Sequence, residues 1–254
     1  MHSIAILADI HGNLEALDAV LADVRNNPCE QILCAGDLVG YGPRPNEVIE
    51  RIREAGIQTV MGNYDEAVGF LLPACGCHID NPRQKELSLH SLKWSTEHTT
   101  TQNREWLRQL PESLQIEAGG KTIQLIHATE DSIVEYLYQS DEARIREILA
   151  CCDCDIYAYG HTHYPYTMVL DNKWIINPGS VGRPKDLDPR AAYVRLTVDG
   201  ADVQTEIRRV SYDVEKVAGE IVSGGLDPAF AEFLRNGGDS NTSNAPMVCD
   251  LMKR

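Results

Sequence analysis

The stretch Ile4-Ala5-Ile6-Leu7-Ala8-Asp9-Ile10-His11-Gly12-Asn13 sets the reading of the whole chain. Five apolar residues ended by Asp9 fit a strand buried on both faces, and residues 14–24 then carry apolar positions at helical spacing. The same pattern repeats downstream. Residues 31–34 read as a strand, and residues 46–55 as a helix with Pro45 near its start and Gly56 after its end. Residues 58–61 read as the next strand. This βαβαβ order predicts an α/β fold, a sheet with helices on its faces.

Residues 82–110 are polar and helical in pattern and carry Trp94 and Trp106, expected in the core; Pro111 stops them. They are expected to form a small helical cap, residues 82–111, on a single domain covering residues 1–236. The second half is dominated by hairpin signals. Gly119-Gly120 separates strands 114–117 and 122–127, Asp171-Asn172 separates 166–170 and 174–176, and Asp199-Gly200 separates 191–198 and 203–210. A helix over 142–150 leads into a strand over 156–159. Two mixed sheets packed as a sandwich, one part parallel and one largely antiparallel, with helices on the outer faces, satisfy this pattern. Residues 212–222 and 228–234 read as helices, and the Gly-, Ser- and Asn-rich tail from Gly237 as disordered.

Composition narrows the function. The chain has 254 residues, 23 basic and 38 acidic, for a net charge of −15. Such an excess repels long nucleic acids and anionic membrane surfaces, while a local anion site remains allowed. No apolar run approaches the roughly 20 residues of a membrane span. The first residues lack a basic, signal-like region, so a cytoplasmic location is expected. The eight cysteines are then expected as reduced thiols. Neither Cys75-Gly76-Cys77 nor Cys151-Cys152-Asp153-Cys154 gives the two CxxC pairs of a structural zinc site, and both read as ordinary small core or loop residues.

The chemistry lies where polar residues meet strand ends. Asp9 and His11 follow the first strand, Asp37 the second and Asn63 the third; His127 ends a later strand, and His161 and His163 another. In an open α/β sheet such ends converge on one crevice. Three carboxylate or amide groups with four imidazoles exceed the needs of one zinc, but suit two divalent cations sharing a carboxylate. The expected chemistry is two-metal activation of water.

Asp9-Ile10-His11-Gly12-Asn13, Gly36-Asp37-Leu38-Val39-Gly40, Gly62-Asn63-Tyr64-Asp65, His127 and Gly160-His161-Thr162-His163 together resemble the signature of the calcineurin-like metallophosphoesterases. Gly40-Tyr41-Gly42-Pro43 and residues 177–184 resemble the small prokaryotic phosphoesterase and phosphodiesterase branch. The resemblance implies one metal on Asp9, His11 and His163, a second on Asn63, His127 and His161, and Asp37 as the bridge. A water or hydroxide held between the cations would attack phosphorus. Manganese, or iron with zinc, is expected; nickel and cobalt accept the same donors.

The chain departs from the family in one place. Many members carry a His after the motif Asn as a proton donor, where this chain has Tyr64, expected either to act in catalysis or to pack. With that imidazole missing, the expected substrate is a small phosphodiester or nucleotide whose leaving group departs with little help. The alternatives are a Ser/Thr protein phosphatase, a dinucleoside polyphosphate hydrolase or, least, a metal-binding scaffold without turnover. Asn13, Arg44 and Arg183 are expected to contact substrate, Asn13 also as the cap of the first helix; Lys185 and Arg190 are further candidates for a second phosphate. No feature of the sequence speaks to oligomeric state.

Overall fold

Strand β1 (His2–Leu7) lies at the centre of the first sheet because both of its faces are apolar. Ile4 and Ile6 face a core shared with the second sheet, and Ala5 and Leu7 face the helices outside. The computed structural model describes residues 1–238. Helix α1 (Leu14–Asn26) starts at Asn13, whose side-chain oxygen accepts the Ala16 N–H at 3.1 Å. It leads to β2 (Gln31–Cys34), then α2 (Pro45–Glu54) and β3 (Gln58–Thr59). Strands β1, β2 and β3 run parallel.

The third strand is shorter than expected. Val60 still donates to Cys34, but the Met61 N–H turns away to Pro111 O at 2.7 Å. The chain then enters a helix that the apolar pattern did not announce, α3 (Asn63–Phe70), which begins at Gly62 with the Asp65 carboxylate accepting the Gly62 N–H. The expected single helical run over 82–110 is two helices, α4 (Pro82–His98) and α5 (Thr101–Leu107), because Thr99 is extended and the Thr100 side chain caps the second helix. Both pack on α3.

The second sheet collects β4 (Ser113–Ala118), β5 (Lys121–Ile126), β6 (Ile156–Ala158), β7 (Tyr166–Leu170) and β8 (Lys173–Asn177) in the order β4-β5-β6-β8-β7. Helix α6 (Glu142–Cys151) precedes β6. The long hairpin of β9 (Ala191–Asp199) and β10 (Asp202–Val210) returns to the first sheet, giving β10-β9-β1-β2-β3. The sheets meet through Ile4, Ile6, Leu33 and Val194 on one side and Ile123, Leu125, Ile156 and Ile176 on the other. The expected sandwich of two mixed sheets with helices outside is the observed fold, but neither sheet is largely antiparallel, since the β9–β10 hairpin joins the parallel strands and each sheet has two parallel and two antiparallel pairings.

Helices α7 (Val214–Ser223) and α8 (Pro228–Asn236) close the described chain and pack with Trp94 in one apolar cluster. Gly237 caps α8, and of the tail expected from Gly237, residues 239–254 lie outside the described residues. No helix among the described residues is long and apolar enough to cross a membrane.

The segment after β8 is pinned under the first motif loop. Ser180 Oγ donates to Asp9 O at 2.7 Å and Gly182 N to Asp9 O at 3.0 Å, and a Cβ on Gly182 would stand 1.8 Å from the Ile10 carbonyl oxygen. Gly182→Ala is expected to cost about 1–3 kcal/mol through overpacking. A urea titration checks this: the midpoint falls at unchanged slope.

Candidate metal centre

Every polar residue singled out at a strand end reaches one buried cluster, and the loops that carry them are fixed by backbone N–H groups. Asp9 Oδ2 accepts the His161 N–H at 3.0 Å, leaving Oδ1 buried with no hydrogen-bond partner. Asp37 Oδ1 accepts the Tyr64 N–H at 2.8 Å, which leaves Oδ2 facing inward. Asp65 supplies the strongest clamp. Its carboxylate accepts N–H groups from Asp37 and Leu38 at 2.8 Å, Gly62 at 3.1 Å and Val39 at 3.3 Å, so the loops after β2 and β3 are held as one unit.

The imidazoles are oriented the same way. Nδ1 of His11 lies 2.8 Å from Val39 O, that of His127 2.7 Å from Ala35 O, and that of His163 2.5 Å from Arg183 O. A carbonyl only accepts, so Nδ1 carries the proton in each ring and Nε2 presents its lone pair to the cluster. The Nε2 atoms of His11 and His163 stand 3.3 Å apart, and His127 Nε2 is 3.1 Å from both His161 Nδ1 and Asn63 Oδ1. The Asn63 amide is turned oxygen-inward because Nδ2 donates to Cys75 O at 3.0 Å and to Cys77 Sγ at 3.2 Å.

Two triads result: Asp9, His11 and His163, and Asp37, His127 and His161, each with its donor atoms within 4.8 Å of one another. Asp37 Oδ2 lies between them, 3.7 Å from His11 Nε2 and 3.7 Å from His127 Nε2. Burial shifts these groups toward their neutral forms. It pushes Asp9 well above the usual carboxylate range and Asp37 up to about 8, lowers His127 to about 4, and holds His11, His161 and His163 well below the usual imidazole value. Neutral imidazoles with converging lone pairs beside an unpartnered carboxylate oxygen form a donor set that fits divalent cations.

Other expected contacts are placed differently. Tyr64 is buried with its ring edge toward His11 at 5.6 Å between centroids, but its hydroxyl faces Ser88 Oγ at 3.0 Å, away from the triads. Arg44 is held by Glu220 of α7, with Nε to Oε2 at 2.8 Å, which directs its guanidinium to a carboxylate. Asn13 uses its amide to cap α1 and to bond Gly182 O at 3.0 Å. Arg183 does adjoin the cluster. Its guanidinium is sandwiched between Tyr41 at 4.0 Å and Phe233 at 3.8 Å, and with His11, Asn13 and Phe230 it lines a cavity of about 10 Å³, room for one water. Arg190 turns to Asp188.

Three participants escaped the sequence reading. Asp65 is visible in retrospect, since an acid three residues after Gly62 is a helix-capping spacing. Nothing in the spacing of Cys75-Gly76-Cys77 indicated that this loop would orient Asn63. Tyr136 likewise lies far from every motif in sequence, yet its ring stacks on His161 at 4.4 Å.

Residues 2–201 match the calcineurin-like phosphoesterase superfamily domain. The uncharacterized protein MJ0912 of Methanocaldococcus jannaschii is 33% identical over 248 residues, covering 91% of this chain and 96% of that protein. A symmetrical bis(5'-nucleosyl)-tetraphosphatase of Yersinia pseudotuberculosis is 28% identical over 155 residues, 60% of this chain and only 50% of that enzyme. Among solved structures, a metallophosphoesterase from Sphaerobacter thermophilus shares 28% identity at a TM-score of 0.75, over 93% of this chain and 99% of its own. The hypothetical protein PH1004 from Pyrococcus horikoshii OT3 shares the fold at a TM-score of 0.81 and 23% identity, over 94% of this chain and 100% of its own. With a matching strand-end signature, sandwich and domain, the chain belongs to the calcineurin-like phosphoesterase superfamily, hydrolases of phosphoester bonds.

Proposed function

We propose that the chain is a dinuclear metal-dependent phosphoesterase acting on a small phosphodiester or nucleotide-type substrate. The observation that carries this reading is Asp37 Oδ2, equidistant at 3.7 Å from one imidazole of each triad. Asp9, His11 and His163 would hold one divalent cation, Asn63, His127 and His161 the other, and Asp37 would bridge them. Such ions supply a water of lowered pKa and positive charge for the phosphoryl oxygens. The protein's own part is orientation. Carbonyls of Val39, Ala35 and Arg183 fix three imidazoles, Cys75 and Cys77 fix Asn63, and Asp65 fixes the bridge. Tyr64, with its hydroxyl on Ser88, offers the leaving group no proton, which favours esters whose leaving groups depart readily. A dinucleoside polyphosphate hydrolase is the second reading, supported by the tetraphosphatase relative.

Chelator-stripped protein resupplied with manganese, nickel, zinc or magnesium is expected to cleave bis(p-nitrophenyl) phosphate faster than p-nitrophenyl phosphate. Faster cleavage of diadenosine tetraphosphate would favour the second reading, and inactivity toward all three with every metal would overturn both. Asp37→Asn weakens both sites at once, and its kcat/KM on the diester is expected to fall about 1,000-fold, roughly 4 kcal/mol. A turnover within tenfold of the parent would sink the bridging assignment.

Cation binding is also expected to release protons. With burial holding Asp37 at about 8, its carboxyl is protonated at pH 7 in the metal-free protein and must lose that proton to ligate. Calorimetric titration with manganese in buffers of different ionisation enthalpy should show proton release at pH 7 that fades by pH 9, with affinity rising over the same interval.

A further inference from the structure

When a phosphoester breaks, negative charge collects on the departing oxygen, and a positioned acid there speeds the step. The obvious donors are committed elsewhere. Tyr64 faces Ser88, and three imidazoles direct their Nδ1–H to backbone carbonyls. Arg183 is flattened between two aromatic rings.

Lys185 differs from every other cation near the site. Its Nζ lies 5.6 Å from the Tyr136 ring centroid, and that ring stacks on His161. Its charge is among the leading electrostatic influences on Asp9, Asp37, His11, His127, His161 and His163, members of both triads. Elsewhere this acidic chain ties many of its guanidinium groups to carboxylates, as in Arg144 with Glu135 and Arg208 with Asp23. Among the described residues, none accepts a hydrogen bond from Lys185 Nζ, although the side chain is half-buried. Its backbone is anchored close by, since Arg183 O accepts from His163 and Leu187 N donates to Gly237 O at 2.8 Å. Desolvation and the neighbouring Arg183 guanidinium hold its ammonium below the usual lysine range, with Asp9, Cys77 and Asp37 opposing.

We propose that Lys185 is a catalytic residue that meets the leaving-group oxygen of the substrate and protonates it. The assignment rests on the hydrolase reading above and fills the role that Tyr64 leaves open. A water oxygen bonds to phosphorus as the bond from phosphorus to the leaving oxygen breaks. The bonding pair stays on the departing oxygen, which takes a proton from Nζ. The attacking water loses a proton in the same turnover, and the amine regains one from solvent.

The test compares p-nitrophenyl and phenyl esters of thymidine 5'-phosphate, which share the transferred group. Phenol, with a pKa of about 10 like the Tyr side chain, needs the proton far more than p-nitrophenol does. In Lys185→Met, kcat/KM on the phenyl ester is expected to fall about 100-fold or more, against less than about tenfold on the p-nitrophenyl ester. Lys185→Arg keeps the charge but holds its proton, so it should bind orthophosphate within about threefold of the parent while staying impaired on the phenyl ester. Calorimetry with orthophosphate on manganese-loaded protein gives the readout independent of turnover, with affinity expected to fall about tenfold in Lys185→Met. Equal losses on both esters, a phenyl-ester rate restored by Lys185→Arg, or unchanged phosphate affinity in Lys185→Met would each overturn the assignment. A parent enzyme that cleaves neither ester with any metal would overturn the hydrolase reading itself, and the proton donation with it.

Discussion

Burial of ionisable groups is the constraint on which the rest of the structure depends. Asp9, Asp37, Asp65 and four imidazoles lie together out of solvent, where a charged carboxylate without partners is expensive. The protein meets most of this cost with backbone N–H groups. Asp65 receives four of them, Asp37 one and Asp9 one, and in both Asp9 and Asp37 the second oxygen is left facing the triads. A buried acceptor left unpaired costs about 1–3 kcal/mol, and a cation removes that cost where water cannot reach. The same burial keeps the imidazoles neutral, which is the form that ligates.

The backbone is held to match. Asp9, His11, Asp37, His161 and His163 all have positive φ, between 49° and 65°. Residues with a Cβ enter this region at a cost of order 1–3 kcal/mol each and stay there only where their surroundings leave no alternative. Those surroundings are close backbone approaches. A Cβ on Gly62 would lie 2.2 Å from Asp37 Oδ1, so only glycine lets the loops after β2 and β3 come together. Donor atoms fixed in this way do not need to reorganise when a ligand binds, which is the condition for electrostatic catalysis.

Legibility in the sequence followed the range of the interactions. Strands β1 and β2, the hairpin β9–β10 and helix α1 were readable because apolar periodicity and turn residues are local signals. Helix α3 was not, since its start is specified by the Asp65 carboxylate reaching back to Gly62 and across to the loop after β2. The placements of Tyr64 on Ser88 and of Arg44 on Glu220 depend on neighbours 24 and 176 residues away along the chain. The loop of Cys75 and Cys77 beside Asn63 is a tertiary meeting of the same kind, with no trace in composition or spacing.

By itself the sequence determined that seven metal-competent side chains would stand at strand ends, because each follows an apolar run whose length and punctuation are encoded within a few residues. It also determined the class of chemistry, since that donor set suits two cations and its blocks match a family of phosphoesterases. Only the tertiary structure decided how the donors combine. One triad takes Asp9 and His11 from the first sheet and His163 from the second, and the other takes Asp37 from the first and His127 and His161 from the second. Neither exists until the two sheets pack face to face. That packing is driven by non-directional burial of Ile4, Ile6, Leu33, Leu125 and Ile176, whereas the register of the site comes from hydrogen bonds spanning up to 173 residues of chain.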